Sequence, residues 1–392
     1  MKLGDLCRIE SKQVMPNFFK NYEFYVGLEN IEKESGKLSY QRVNNVNLKS
    51  AKFAFTPDCI LFGKLRPYLK KVALASVTGI CSTDILPLKP NQALINKEYL
   101  YFFLRTPSVT SMVTAKSTGA NLPRISPALL LDTDVPVPEM STQEQIVNML
   151  RKSELLREKR EQVNEISSRL LQSLFLRMFS DSDGRSSKLT IGELLKRKYL
   201  LLHKDGNHGS LYPRAYEFSK SGEGVPFITA KDIDETGQII ESSISRLNYK
   251  KANQLKIGWL EKGDVLLAHN ATVGRVGLYN GAFKRALIGT SLTAFRPNPE
   301  FMTSEYLFSA LRSSAFQGQL TLIMKQTTRN QVPITTQREL LLMAPPIEAQ
   351  QKYSCVFRKL TEIQQKQSLS MDKIGLVFDS MMLKCFKGEE AK

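Results

Sequence analysis

Residues 141–180 read STQEQIVNMLRKSELLREKREQVNEISSRLLQSLFLRMFS, a forty-residue stretch with neither Pro nor Gly. Its Leu, Glu, Arg, Lys and Gln are all good helix formers. Ser141 and Glu144 have the spacing of a capping box, which predicts where the helix starts, and Ser-Asp-Ser-Asp-Gly at 180–184 predicts where it stops. At 1.5 Å per residue the rod would be about 60 Å long, too long to lie inside one small core.

A counterpart occupies the end of the chain. From Ala349 onward, alternating steps of three and four select Tyr353, Val356, Leu360, Ile363, Gln367, Ser370, Ile374, Val377 and Met381. The same register, 207 residues earlier, selects Ile146, Met149, Ser153, Leu156, Arg160, Val163, Ser167, Leu170 and Leu174. These rows read as the two seams of a coiled coil, apolar at the ends and polar near the middle. The matched register argues that the helices pair antiparallel rather than each packing only on its own domain.

The remaining sequence repeats as well. Leu3-Gly4-Asp5-Leu6 answers to Ile191-Gly192-Glu193-Leu194, at an offset of 188. Tyr25 to Ile31, running on to Gly36, resembles Phe227 to Ile233 with Gly237. Glu98-Tyr99-Leu100 recurs as Glu305-Tyr306-Leu307 at an offset of 207, and Pro136-Val137-Pro138 answers Ala344-Pro345-Pro346. Landmarks that keep their order while the offset grows describe a tandem duplication with roughly twenty extra residues in the second copy, mostly at 203–224. The expected boundaries are a first globular domain at 1–140, a helix at 141–180, a second domain at 181–346 and a second helix at 347–388. Each globular copy holds short β-like runs, such as 71–75 and 275–279, around one clear helix at 97–105 or 304–312. The fold class is therefore α+β: two globular domains joined by two long antiparallel helices that form a coiled-coil spacer, duplicated about a pseudo-twofold axis.

Composition narrows the function. The chain has 392 residues, 42% hydrophobic and 24% charged, which is ordinary, but a formal net charge of +17 and a pI near 9.5, which is not. That balance points to a polyanion. No apolar run approaches a membrane span and no secretory leader pattern opens the sequence, so no membrane partner is expected. Cys7, Cys59, Cys81, Cys355 and Cys385 are odd in number and widely spaced, which suits reduced thiols in the cytoplasm. His203, His208 and His269 form no zinc motif, Gly222-Glu223-Gly224 stands alone, and no phosphate-binding loop or paired carboxylates of nuclease spacing are found. The chain reads as non-catalytic, with no catalytic, cofactor-binding or metal residue.

Four loops in matched positions are the positive signal. Lys64, Arg66, Tyr68, Lys70 and Lys71 follow the 60–62 strand, and their counterpart holds His269, Asn270, Thr272 and Arg275. Lys116, Ser117 and Arg124 correspond to Lys325, Thr327, Thr328, Arg329 and Asn330. Such cations clamp phosphates, while Asn and Arg can pair with base edges in the major groove. Matched loops with different side chains suit two copies that each read a sequence of their own.

In this order, with long helices between the copies, the motifs DCILFGKLRPYL (58–69), GDVLLAHNATVGRVG (263–277), the proline exits and the helix starts Glu144-Gln145 and Ala349-Gln350 resemble the specificity subunits of type I restriction–modification systems. The resemblance implies two target-recognition domains that read the halves of a bipartite double-stranded DNA site. It also implies two docked methyltransferase subunits that methylate adenine with S-adenosylmethionine, and restriction subunits that can join them. A stand-alone DNA-binding regulator is the alternative, and the exposed apolar residues Leu155, Ile166 and Phe175 off the seam argue against it. A fused nuclease–methylase would need a cofactor loop and a catalytic motif.

Overall fold

The computed structural model describes all residues except 180–186, 220–221, 326–330 and 387–392, with main chain only at 210, 368–369 and 371–372. The stop signal at 180–184 therefore lies outside the described residues. The chain divides into two compact units, 1–161 with 368–392, and 162–367.

The core sheet of the first unit runs Cys7–Ile9, Ile85–Pro90, Ile60–Gly63, Val72–Leu74, with every neighbouring pair antiparallel. The second unit repeats this order with Leu200–Asp205, Leu292–Pro297, Val265–Ala268 and Val276–Leu278. A second mixed sheet accompanies each, five-stranded in the first unit and three-stranded in the second, and both contain one parallel pair. The helix expected on each core sheet is present as Lys97–Leu104 and Ser304–Arg312, capped by Asn96 and Thr303.

The turns that carry Gly36 and Gly237 also correspond. Both glycines have positive φ, 69° and 91°. A Cβ would stand 2.5 Å from the Val72 carbonyl oxygen in one and 2.7 Å from that of Val276 in the other, so only glycine fits. Each turn is gripped by an arginine from the helix beneath. Arg105 donates to the Glu34 and Ser35 carbonyls at 2.7 and 3.1 Å, and Arg312 to those of Glu235 and Thr236.

The long helices span Met140–Phe179 and Ile347–Phe386. Ser141 is not the cap: the helix is already under way at Met140, and the Thr142 and Gln143 N–H groups bond the Glu139 carbonyl. In the first unit Ile146, Val147 and Leu150 share a core with Phe378 and Met382. In the second, Phe175 and Phe179 pack around Tyr306 and Tyr353, with ring centroids 4.9–5.8 Å apart, so Phe175 is a core residue and not the exposed apolar group expected from the sequence. Inside each unit the helices thus run in opposite senses.

The seam register needs correction at every second position. Ile146, Leu174, Tyr353, Leu360, Ile374 and Met381 face inward or are half-buried. Met149 (44% exposed), Leu156, Val163, Leu170, Val356, Ile363 and Val377 (55%) face solvent, and their places are taken one residue later by Leu150, Arg157, Asn164, Leu171, Phe357, Gln364 and Phe378. The most apolar row is not the inward one because the helices carry two apolar rows, and polar Ser153, Arg157, Asn164 and Gln364 sit on the row that faces inward.

Two glutamines seat the helix starts on the globular parts. Gln143 accepts the Asn96 N–H at 2.8 Å and donates to the Leu94 and Pro138 carbonyls. Gln350 accepts the Thr303 N–H at 3.0 Å and donates to Phe301 and Pro345. Every partner is shifted by 207, so Gln350 corresponds to Gln143, and the equivalence of Glu144-Gln145 with Ala349-Gln350 does not hold. Two further contacts repeat: the Tyr99 and Tyr306 hydroxyls donate to Pro136 and Met343, and Glu98–Arg151 and Glu305–Arg358 form ion pairs.

Candidate nucleic-acid interface

In both units the structure brings the two predicted loops together. After the Ile60–Gly63 strand, the Lys64 N–H bonds the Asp84 carbonyl, and its own carbonyl accepts from Ile125 at 3.1 Å. Leu65 forms a bridge with Arg124, which bridges Thr118, and the Arg66 N–H reaches Pro123 O at 2.7 Å. Arg66 and Lys70 adopt left-handed φ of 50° and 51°, uncommon outside glycine, so the backbone reverses sharply on either side of Tyr68. Tyr68 is 47% exposed, Arg66 and Lys116 are exposed, and Lys64 and Lys70 are half-buried.

Other predicted residues hold the loops rather than face outward. The Lys71 ammonium donates to Leu28 O at 2.6 Å, and the Ser117 hydroxyl caps its helix on Val113 O at 2.6 Å. Arg124 grips both carboxylate oxygens of Asp84 at 2.9 and 3.2 Å, and this bonding holds its guanidinium pKa above the ordinary value.

The second unit repeats the closure with different chemistry. His269 N–H bonds Ser291 O, Val332 N–H bonds His269 O at 2.9 Å, and Asn270 bridges Gln331. Ala271 is left-handed like Arg66, and Asn270 and Thr272 are exposed. His269 itself is a correction. Only 3% exposed, its Nδ1 lies 2.9 Å from the Thr293 hydroxyl, so its ring supports the loop from below and is closed to DNA. Arg275 is half-buried and donates to Ile233 O at 2.8 Å. Lys325 is exposed at a helix end, whereas Thr327, Thr328, Arg329 and Asn330 lie outside the described residues.

Beneath this loop runs a buried polar network absent from the sequence reading. Gln337 faces His203 Nε2 with its Oε1 at 3.1 Å and donates from Nε2 to Thr293 and to Val332 O, both at 3.0 Å. Burial pushes the His203 pKa down to about 4, against the opposing bond to Gln337, and lowers that of His269. Strand register and the 207 offset put Ile9, Leu86 and Leu130 in the places of His203, Thr293 and Gln337, so the first unit is apolar here. Among the described residues, no group of three His, Cys, Asp or Glu is placed to hold a metal, and no helix is long and apolar enough to cross a membrane.

Two α+β copies, each closing a pair of loops over one end of its core-sheet strands and each seated on a long helix, make a duplicated recognition module. A family model for the type I restriction modification DNA specificity domain matches residues 1–166 and again 207–369. The chain belongs to this family. It is 30% identical over 148 residues to the EcoDI specificity subunit of Escherichia coli, covering 38% of this chain and 32% of that protein, so the aligned stretch spans about a third of that relative's length. It is 22% identical over 397 residues to the MjaIX specificity subunit of Methanocaldococcus jannaschii, covering 96% and 86%. Among solved structures, the type I restriction–modification S subunit from M. genitalium has a similar fold, with a TM-score of 0.62, 15% identity, and coverage of 99% of this chain and 96% of that one. A chain solved in work on complex assembly and conformational transition of the type I R-M system aligns with a TM-score of 0.57, 19% identity and coverage of 99% and 97%.

Proposed function

We propose that the chain reads a bipartite, gapped site on double-stranded DNA, one half per unit. It would carry two adenine methyltransferase subunits, with restriction subunits able to join the assembly. The observation that carries this reading is the repeated loop closure, Leu65 on Arg124 and Asn270 on Gln331, with unlike side chains on the same frame of a +17 chain. The outward apolar residues of the long helices support a docked partner: Leu155 and Leu156 are about half exposed, Ile166 is 63% exposed and Leu376 71%. S-adenosylmethionine would belong to the methyltransferase. The site would be cytoplasmic DNA.

Co-expression with the cognate methyltransferase, followed by mapping of methylated adenine across a genome, should return one gapped motif modified on both strands. A stable complex that neither binds nor methylates DNA would sink the reading.

The first-unit loop has its own test. Replacing Lys64 and Arg66 together with Ala should lower the slope of log K against log salt by about two, since each phosphate contact contributes about 0.9. An unchanged slope would remove that loop from the interface.

A further inference from the structure

The segment 206–224, which joins Leu200–Asp205 to Val225–Ile228 and is about eight residues longer than its counterpart in the first unit, leaves the core beside the His269 loop. Gly206 lies against Gly289, where a Cβ would meet backbone at 2.6 Å, and two residues on, Ser291 accepts the His269 N–H. The segment is pinned again at its far end. Phe218 bridges Leu247, and bonds of 2.8 and 2.9 Å join Ser219 N–H to Arg246 O and Asn248 N–H to Glu217 O. Below them the Glu217 carboxylate takes the Lys251 ammonium at 3.2 Å, with side chains 15% and 9% exposed, and it also accepts the Arg214 N–H at 2.6 Å.

This anchored ladder holds aromatic rings out in water. Tyr216, in the short 3-10 turn Ala215–Glu217 that leads into it, is 75% exposed; Tyr249, at the start of the helical turn Tyr249–Ala252 that follows it, is 59% exposed, and Tyr212 is 47% exposed. Arg214 and Lys250 beside them are exposed, and among the described residues neither has an ion-pair partner. The one carboxylate of the ladder, Glu217, is already engaged by Lys251. A pinned turn that shows phenols and exposed cations, with Arg214 only partly offset by the nearby Glu217 carboxylate, matches a sugar–phosphate backbone: rings pack on sugars, while hydroxyls, guanidinium and ammonium reach phosphate oxygens. The segment that carries Tyr216 is rooted next to the His269 loop of the candidate interface.

We propose that Tyr216, Tyr249, Arg214 and Lys250 form a further DNA-contact site, which grips the backbone beside the half-site of the second unit. The proposal rests on the DNA-reading function above.

The test uses the chain in complex with its methyltransferase, a duplex bearing the mapped site, and a random-sequence duplex of equal length. Arg214→Ala with Lys250→Ala should lower the salt slope by about two on both duplexes. Tyr216→Ala with Tyr249→Ala should weaken binding by roughly tenfold, the scale of two lost hydrogen bonds. All four side chains are solvent-facing, and an unshifted Trp259 unfolding transition would show that the fold is kept. Unchanged slope and affinity, while the Lys64 and Arg66 double variant still flattens the slope, would overturn this site and leave the DNA-reading function standing. No effect from either pair would overturn both. Loss of the methyltransferase from the tyrosine variant, with DNA binding by the free chain intact, would also overturn it and assign the surface to the protein partner.

Discussion

Gln350→Leu should unfold the second unit at markedly lower denaturant than the native chain. The glutamine is fully buried, and its amide satisfies the Thr303 N–H and the Phe301 and Pro345 carbonyls. Leucine fills a similar volume but leaves three backbone groups without partners, at about 1–3 kcal/mol each where water cannot replace them. With partial relaxation a loss of about 3–5 kcal/mol is expected, a large part of the stability of an ordinary domain. Trp259 is the chain's one tryptophan and lies in the second unit, so its fluorescence reports this transition. Gln143→Leu should have a similar cost in the first unit without moving the Trp259 signal. Equal midpoints for native chain and Gln350→Leu would show that the three bonds do not seat the helix.

Acid should weaken the second unit selectively. The His203 pKa falls from an ordinary 6.5 to about 4 in the folded state because burial disfavours the imidazolium. As pH drops below about 6.5 the unfolded chain takes up a proton that the folded chain refuses, so this stability is complete above neutrality and declines toward pH 4. At about 1.36 kcal/mol per pH unit the decline reaches about 3 kcal/mol, and the lowered His269 acts in the same direction. Neighbouring charges modify it: Asp205 raises both histidines, Arg338 lowers His203, and His208 lowers His269. Trp259-monitored unfolding between pH 7 and 4.5 should show the loss, and a His203→Ile, Thr293→Leu, Gln337→Leu variant, which copies the first unit, should remove most of it. A pH-independent midpoint in the native chain would show that the folded chain takes up the His203 proton as readily as the unfolded chain.

The duplication was legible because it rests on spacing, which survives side-chain change. The offset of 207 pairs Glu98 with Glu305 and also aligns the bonds of Gln143 and Gln350. The glycines at 36 and 237 were visible for the same reason, since a turn pressed against a carbonyl tolerates nothing larger. Side-chain orientation was harder to read. Met149 and Leu156 look like seam residues, yet the helices bury Ser153, half-bury Arg157 and leave those apolar groups outside. His269 looked like a DNA-reading residue because its loop position is right, but the strand aims its ring at Thr293. Lys71 and Arg275 are cations in basic loops that turn back to bond Leu28 and Ile233 carbonyls. Nothing in the sequence marked Tyr216 and Tyr249, thirty-three residues apart, as companions until the ladder at Phe218 and Leu247 joined their segments.

The paired glutamine seats have a consequence for inheritance. Both globular copies meet their long helix through the same amide bonds and the same glutamate–arginine pair, and hold the chain leading into it by the same tyrosine hydroxyl, whereas the loops and the tyrosine platform differ. The join is a standard fitting and the recognising surface is cargo. A copy grafted from another chain with the same fitting would find its hydrogen bonds waiting, so new pairings of copies could arise by exchange without altering the frame that holds them.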